Sequence, residues 1–345
     1  MDQGTRLSRR SVLGLVAAGG VSFWLTGRAH AARSLSVGVA SIDPIYTQFY
    51  VALDRGYFRA EGLDVSYVNT QSGPRTKQVL AAKEIGVGTS GTNDAIALTL
   101  AGKPTNLILA MDTRITYANI LTSRALYDSG KVRTIEDLKG KTLACTQLQS
   151  ATWLMAVFIL DQAKIRDQVT VRGLGDLLTM LGAVKSGQVE ATIATVSMVD
   201  KAVQEGWGVP IFDISDETAW KRYFGGNVPG ISAYVLEESV ERHADVIQAY
   251  VNAIVKATDF CKATSAVDLA RMMAASHLKA YGDEALLRAM QLYKRIWAYD
   301  NLITEEDYQR LLSIMAGRQL KEDEVRRVGY RQAVNMTFVR RARKL

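Results

Sequence analysis

The chain has 345 residues, of which 48% are apolar and 22% charged, and its net charge is +7. This apolar fraction is enough for a packed core, so the composition excludes an intrinsically disordered chain. Two cysteines in 345 residues cannot build a disulfide framework. A chain of this length is predicted to form about two domains.

Residues 1–31 have the pattern of an export signal. The pair Arg9-Arg10 precedes an apolar run over 12–25, and Ala29-His30-Ala31 follows as a small-x-small cleavage site. The run is too short for a transmembrane helix, and the adjacent arginines favour the twin-arginine route. We therefore predict cleavage near Ala31 and an exported mature chain, 32–345. The alternative is an uncleaved amphipathic anchor.

The positive charge is concentrated at the two ends of the chain. Residues 1–31 carry a net charge of +3 and the tail 318–345 carries +6, which leaves 32–317 at −2. A body this close to neutral argues against nucleic acid as a partner. The basic tail is predicted to be a solvated end rather than a binding arm.

Few residues are available for catalysis or metal binding. After cleavage His243 and His277 remain, both in segments with helical spacing and neither at zinc-ligand spacing. Cys145 and Cys261 are expected to be buried thiols rather than a bridge. The G-x-G-x-x-G string at 86–91 overlaps a predicted strand instead of following one, so it does not indicate a dinucleotide site. We predict no catalytic residues, no metal and no cofactor.

The first half of the mature chain alternates strands and helices. Strands are predicted at 35–40, 64–69, 84–90 and 106–111. Helices are predicted between them at 45–53, 76–82 and 93–101. This order is typical of a parallel sheet with helices on both faces.

The alternation restarts after residue 134 and builds a second α/β unit. Predicted strands are 141–145, 169–172, 191–196 and 209–214, and predicted helices are 152–163, 177–185 and 198–204. After a last strand at 231–236 the chain is helical to its end, and these helices are expected to pack on the first unit. We therefore predict lobe 1 from 32–115 and 230–345, lobe 2 from 116–229, and a ligand cleft between them.

Polar residues collect where predicted strands pass into helices, which is where parallel α/β sheets bind ligands. These junctions contain Ser41 and Asp43, then 69–73, 90–94 and 146–152, and finally Ser197. Hydroxyl groups and free N–H groups at helix starts bind oxyanions, although the same residues also serve as ordinary helix caps. No acid–base or nucleophile pair emerges, so the sequence favours binding over catalysis.

Three strings resemble a known family. They are the run 49–65, which contains Gly56-Tyr57-Phe58-Arg59-Ala60-Glu61-Gly62-Leu63, the run 85–97, and the run 135–142, Ile-Glu-Asp-Leu-Lys-Gly-Lys-Thr. They are similar to periplasmic substrate-binding proteins of ABC importers, of the nitrate/sulfonate/taurine type that includes thiamine-pyrimidine-precursor binders. The resemblance implies the type II periplasmic binding-protein fold, with two α/β lobes around a ligand cleft joined by two crossing segments. It also implies a monomer that delivers its ligand to a membrane permease with an ATPase.

The resemblance places ligand contacts on the junctions already described. With Ser41, Asp43 and Ser197, the predicted ligand-binding residues are Gln71, Ser72, Gly73, Thr92, Asn93, Asp94, Gln149, Ser150, Thr152 and Asn227. No arginine is clearly placed to hold a sulfonate, and Arg75 and Arg114 are only candidates. The predicted ligand is a sulfonate-, taurine- or nitrate-like anion. Two alternatives stay open, a pyrimidine or other heterocyclic or aromatic ligand, and a pyrimidine-synthase-like enzyme on the same fold.

Overall fold

The computed structural model describes residues 32–345, and the predicted export signal 1–31 lies outside them. The first part of the chain forms four strands: β1 (Arg33–Val39), β2 (Leu63–Asn69), β3 (Val87–Gly91) and β4 (Thr105–Ala110). Its helices are α1 (Thr47–Asp54), α2 (Tyr57–Ala60), α3 (Gly73–Ala81) and α4 (Thr92–Leu100), with a 3-10 turn at Pro44–Tyr46. Pro74 lies in the first turn of α3, where its missing N–H costs no helical hydrogen bond.

The middle of the chain forms five strands, β5 (Asn119–Ser123), β6 (Thr142–Cys145), β7 (Thr170–Gly173), β8 (Ala191–Ala194) and β9 (Gly208–Phe212). Its helices are α5 (Arg124–Asp128), α6 (Ala151–Gln162), α7 (Leu177–Lys185), α8 (Val196–Gln204) and α9 (Glu217–Phe224). Two further 3-10 turns cover Glu136–Leu138 and Arg166–Gln168. β5, α5 and α9 are absent from the sequence-based prediction.

The last part contributes one strand, β10 (Ile231–Leu236), and eight helices. The helices are α10 (Glu237–Arg242), α11 (Ala244–Ala263), α12 (Ala266–Ala275), α13 (Asp283–Ile296), α14 (Glu305–Met315), α15 (Glu322–Val325), α16 (Tyr330–Ala333) and α17 (Thr337–Arg343). His277 lies in a turn after α12, so its predicted placement in a helix is wrong. The ring of His277 stacks on Tyr50 at 4.4 Å between centroids, and its Nε2 lies 2.9 Å from Asp54 Oδ1.

The strands form two five-stranded sheets. The order is β2-β1-β3-β10-β4 in one sheet and β7-β6-β8-β5-β9 in the other. We call the first sheet with the helices packed on it lobe 1, and the second with its helices lobe 2. The chain crosses from lobe 1 to lobe 2 between β4 and β5, and it returns between β9 and β10.

Both sheets are mixed, so the predicted parallel sheet is wrong in one respect for each lobe. β10 runs antiparallel between β3 and β4, and β5 runs antiparallel between β8 and β9. The other pairings, such as β1 with β2 and β6 with β7, are parallel. Each antiparallel strand directly follows a crossing, so its direction is set by the return of the chain and not by a strand–helix–strand unit.

The basic tail packs against lobe 1, so its prediction as a solvated end is also wrong. α17 contacts α11 and β4, and Phe338 and Val339 are buried. Arg343 forms an ion pair with Asp259 of α11 at 3.0 Å. Arg340 and Arg341 of α17 are exposed, because Phe338 and Val339 occupy the other side of this short amphipathic helix.

Within residues 32–345, no helix has both the length and the apolar character that a membrane span requires. The two cysteines of this part are unpaired and fully buried, as predicted. Burial raises the pKa of both the Cys145 and the Cys261 thiol to about 12, so both stay protonated near neutral pH.

Candidate ligand-binding site

A partly open cavity lies between the two lobes, with about 420 Å³ of empty space that includes its opening to solvent. Its walls consist of strand ends and helix starts from both lobes, and most of the side chains are small, hydroxylated or aromatic. The lining residues are Ala40, Ser41, Ile45, Tyr46, Ser72, Gly73, Gly91, Asp94, Tyr117, Thr146, Ser150, Ala151, Thr152, Leu177, Thr195 and Ile231. A cavity enclosed by two lobes and lined by few charged groups is typical of small-molecule sites.

Five helices begin at the wall of this cavity. α3 begins at Gly73, α6 at Ala151 and α7 at Leu177, while Gly91 and Thr195 are the residues that cap α4 and α8. Each helix start presents backbone N–H groups that have no acceptor in their own helix, and the helix dipole makes this end partly positive. The cavity therefore attracts negatively charged or oxygen-rich groups at several points.

Asp94 is the one carboxylate among the residues that line the cavity. Its side chain is fully buried, and its Oδ2 accepts a hydrogen bond from Ser90 Oγ at 2.7 Å. Its Oδ1 accepts no hydrogen bond from the described residues, although Lys77 Nζ lies 3.4 Å away, within ion-pair distance. Burial raises the pKa of Asp94, and the nearby Lys77 opposes that rise. Oδ1 is thus the less fully hydrogen-bonded of the two carboxylate oxygens.

The wall from lobe 2 carries hydroxyl groups without a formal charge. The Oγ atoms of Thr146, Ser150 and Thr152 form a triangle with separations of 2.9 to 3.1 Å. Ser150 Oγ also accepts the backbone N–H of Trp153 and so caps α6. Because Ser150 takes that N–H, the earlier N–H groups of Ala151 and Thr152 are the ones left without a helical partner at the cavity wall.

Asp43 was predicted as a ligand contact. It does not line the cavity, and its side chain instead forms hydrogen bonds between the two lobes. Its two oxygens accept hydrogen bonds from five donors, Ile45 N, Thr195 Oγ1, Ser197 Oγ, Tyr281 OH and Tyr293 OH, at 2.7 to 3.3 Å. Thr195 and Ser197 belong to lobe 2, whereas Asp43 follows β1 of lobe 1. Burial raises the pKa of Asp43, and these donors oppose the rise.

Asp112 holds the return crossing in place. Its Oδ1 accepts the backbone N–H groups of Gly230 at 2.6 Å and Ile231 at 3.1 Å. Burial raises the pKa of Asp112 to about 8, although both N–H groups act to lower it. Tyr117 lies beside it and donates from its hydroxyl to the carbonyl of Gly230 at 3.0 Å. Asp112 is therefore bound to backbone and does not face the cavity.

Six of the predicted site residues line the cavity: Ser41, Ser72, Gly73, Asp94, Ser150 and Thr152. Gln71 lies at the mouth of the cleft, in a more open space of about 1030 Å³ that it shares with Arg75 and Gln147. Ser72 Oγ donates to Gln147 Oε1 at 2.7 Å, and this bond joins the lobes between the cavity and the mouth.

Another six predicted residues bind protein groups instead and do not line the cavity. Asp43 and Ser197 bind each other, and Thr92 Oγ1 lies 2.7 Å from Ser232 Oγ. The carbonyl of Asn227 accepts a hydrogen bond from Arg310. Asn93 and the carbonyl of Gln149 both bind Gln319. The candidate Arg114 forms an ion pair with Glu217 at 2.8 Å and does not line the cavity.

Sequence reasoning missed the apolar and aromatic part of the wall. Tyr46 and Tyr117 lie on segments next to β1 and β5, and Leu177 and Ile231 complete this side. Tyr46 belongs to the 3-10 turn that Asp43 caps, so Pro44 in its first position is a signal that could have marked the turn. Tyr117 lies on a crossing, where no periodic pattern identifies it.

Residues 43–265 match the model of the family described as NMT1/THI5 like. The chain belongs to the NMT1/THI5-like family. YtlA of Bacillus subtilis (strain 168), named as a candidate binding protein, is 22% identical over 296 residues, which cover 84% of each chain. Among relatives with a stated role the descriptions are of binding proteins, in agreement with the prediction that this chain is not an enzyme.

Solved structures of other proteins share the fold. A protein from Bordetella bronchiseptica RB50 is 23% identical with a TM-score of 0.76, over 90% of this chain and 97% of that one. The alkanesulfonate-binding protein SsuA from Xanthomonas axonopodis pv. citri, bound to MOPS, has a TM-score of 0.70 and is 16% identical, over 89% of this chain and 100% of that one. The nitrate-binding protein NrtA from Synechocystis PCC 6803 has a TM-score of 0.73 and is 12% identical, over 91% of this chain and 89% of that one. The predicted periplasmic binding-protein fold is confirmed.

Proposed function

We propose that the protein captures a small organic molecule between its lobes, outside the cytoplasm, and delivers it to an ABC importer. The observation that carries this proposal is the cavity itself, because both lobes supply helix starts and hydroxyl groups to its wall. The names of its relatives, which include sulfonate- and nitrate-binding periplasmic proteins, support the same class of function.

The mechanism follows from the two walls. A molecule in the cavity contacts lobe 1 at Asp94 and lobe 2 at the start of α6, so it stabilises the closed arrangement over the open one. We propose that each lobe moves as a unit about the two crossings. Lobe 1 consists of residues 32–115 and 230–345, and lobe 2 of residues 116–229. A permease with its ATPase then recognises the closed form. Export to the periplasm by the twin-arginine signal 1–31 and a monomeric state belong to the same proposal.

The walls also restrict the ligand. The uncharged start of α6 suits an oxyanion such as a sulfonate, since helix N-termini bind such groups without a full counter-charge. Asp94 Oδ1 suits an N–H donor, so a plain anion such as nitrate would leave this oxygen unused. We propose an anion that also carries an amino or other N–H group, as taurine does. An amino-heterocycle is the second candidate, favoured by Asp94 and the rings of Tyr46 and Tyr117.

A thermal-shift panel tests the proposal with matched compounds. Taurine, ethanesulfonate, nitrate, an aminopyrimidine and an aromatic carboxylate are each titrated, and we expect taurine or the aminopyrimidine to give the largest rise in melting temperature. No shift with any compound in the panel contradicts the binding function. A larger shift with ethanesulfonate than with taurine contradicts only the assigned role of Asp94.

A variant pair tests the role of Asp94 directly. Asp94→Asn keeps the shape of the side chain but weakens its attraction for an N–H donor, so affinity for the compound that binds best should fall about tenfold or more. The control is Asp64→Asn, because Asp64 is an exposed carboxylate on β2 outside the cavity lining. Isothermal titration of both variants should show the loss in Asp94→Asn alone. Unchanged affinity would remove Asp94 from the site.

A further inference from the structure

The segment between α14 and α15 reaches from lobe 1 to lobe 2. Helix α14 contacts α16, which in turn packs on β4, so this part of the tail belongs to lobe 1. Arg318 follows α14, and its Nη1 donates to the carbonyl of Ile314 at 2.8 Å. Nη1 of the Arg318 guanidinium is therefore held by lobe 1.

The same guanidinium of Arg318 also binds lobe 2. Its Nε donates to Asp161 Oδ2 of α6 at 2.6 Å, and its guanidinium lies 5.1 Å from the centre of the Phe158 ring on the same helix. Only 14% of the Arg318 side chain and 25% of the Asp161 side chain are exposed, so solvent screens this ion pair less than a surface pair. A planar guanidinium can bind a carboxylate and lie on an aromatic ring at the same time.

Gln319 makes a second connection next to the cavity. Its Oε1 accepts a hydrogen bond from Asn93 Nδ2 of α4 at 3.0 Å. Its Nε2 donates to the carbonyl of Gln149 at 2.9 Å, with the carbonyl of Ser150 at 3.3 Å. The amide of one side chain thus links the start of α4 in lobe 1 to the start of α6 in lobe 2.

We propose that Arg318 and Gln319 form a clasp through which the C-terminal segment sets how readily the two lobes separate. Both are positioning residues, because neither lines the cavity and both act on α6, whose start forms the cavity wall. Arg318 and Gln319 themselves lie outside the family match at 43–265. The proposal goes beyond ligand capture, since lobe separation is a property of the ligand-free protein.

The size of the effect follows from what opening would break. Separation of the lobes removes a charged hydrogen bond at Arg318 and at least one neutral hydrogen bond at Gln319. Loss of such contacts from the closed form alone should lower the ratio of closed to open protein on the order of tenfold. If the same contacts persisted in the open form, their removal would change unfolding but not opening.

Energy transfer between two dyes measures the separation without any ligand. The dyes are attached to Lys103→Cys in lobe 1 and Lys139→Cys in lobe 2, both exposed residues near the starts of β4 and β6, at the ends of the sheets away from the cleft. The native thiols are buried and do not compete for the dye. Arg318→Ala and Gln319→Ala should each shift the distribution of transfer efficiencies toward the open form.

Arg343→Ala is the matched control, because Arg343 is a tail arginine whose partners, Asp259 and Asn301, lie on the lobe 1 side. We expect Arg343→Ala to lower the free energy of unfolding without changing the dye distribution. Arg318→Lys keeps the charge but loses the planar guanidinium, so it should shift the distribution in the same direction as Arg318→Ala but by less. Gln319→Ala carries the test if Arg318→Ala does not fold. A parental distribution in Arg318→Ala and Gln319→Ala, or an equal shift in Arg343→Ala, overturns the proposal.

Discussion

Gly73 has no side chain, and the structure leaves no room for one. A Cβ atom at this position would lie 1.9 Å from Asp94 Oδ2, far inside the contact distance of two atoms. The backbone of Gly73 is not in the left-handed region, so its conformation alone does not require glycine. Glycine is needed because the Asp94 carboxylate occupies the space at the start of α3.

We expect Gly73→Ala to destabilise the fold by about 1 to 3 kcal/mol, as overpacked sites do, and to weaken ligand binding by displacing Asp94. The double variant Gly73→Ala with Asp94→Ala should regain stability because the clash is gone, but it should not regain binding. Urea unfolding and calorimetric titration check the two effects. Gly182→Ala is the control, since no atom lies within 4 Å of its Cβ position. A loss of stability as large in Gly182→Ala would argue against the clash.

Asp112 should make stability depend on pH. Its pKa is raised to about 8 in the folded protein, against about 3.9 in an unfolded chain. Between these values the folded state holds a proton that the unfolded state has lost, so the free energy of unfolding falls as pH rises from about 4 to about 8. In Asp112→Asn this fall should be smaller, because the amide does not titrate.

Urea unfolding at pH 5, 6, 7 and 8 measures this slope in the parent and in Asp112→Asn. Asp43 and Asp94 are present in both proteins, so the difference between the two slopes belongs to Asp112. Asp64→Asn, which changes an exposed carboxylate, should follow the parent. Identical slopes in the parent and Asp112→Asn would show that Asp112 is already ionised in the folded protein.

At the scale of the element, α6 combines a structural and a binding role. It is an almost wholly buried helix of lobe 2 whose start forms the cavity wall and whose later turns carry the partners of Arg318. A substitution of its cap, Ser150, should therefore remove a helix cap and a proposed ligand contact at the same time. Ser265 caps α12 in the same way, accepting the N–H of Asp268 at 3.1 Å, but it does not line the cavity.

Ser150→Ala and Ser265→Ala should each lower the free energy of unfolding by about 1 kcal/mol, the usual effect of removing a serine cap. Only Ser150→Ala should also weaken ligand binding, because only Ser150 lines the cavity. Chemical denaturation and titration with the best compound of the panel measure the pair. If both variants bind like the parent, Ser150 is a cap alone.

The elements themselves were largely predictable, whereas the direction of two strands was not. The apolar runs of α6 and β4 appear in the sequence with nearly their observed bounds. The antiparallel direction of β5 and β10 depends on which strands each pairs with. That pairing is fixed by the two crossings and leaves no trace in the local pattern of apolar residues.

At the scale of the whole molecule, the site was predictable where it depends on local structure. Ser72, Asp94 and Ser150 follow strand ends and line the cavity, as the rule for such junctions leads one to expect. It fails for Asn93 because Gln319, a residue 226 positions later in the chain, binds its side chain. The prediction that the tail is a solvated end was wrong for the same reason. Its charge is evident in the sequence, but its packing on α11 and β4 is not.

The place of β10 also has a consequence for the order of folding. β10 pairs with both β3 and β4, so the lobe 1 sheet cannot be completed until the chain has been made as far as Leu236. The five strands of lobe 2 all lie between Asn119 and Phe212 and need nothing from outside that stretch to pair. During synthesis lobe 2 can therefore form first, while β1 to β4 wait with an unfilled gap between β3 and β4. Pairing across more than a hundred residues closes a large loop, so the completion of lobe 1 should be the slow step of folding.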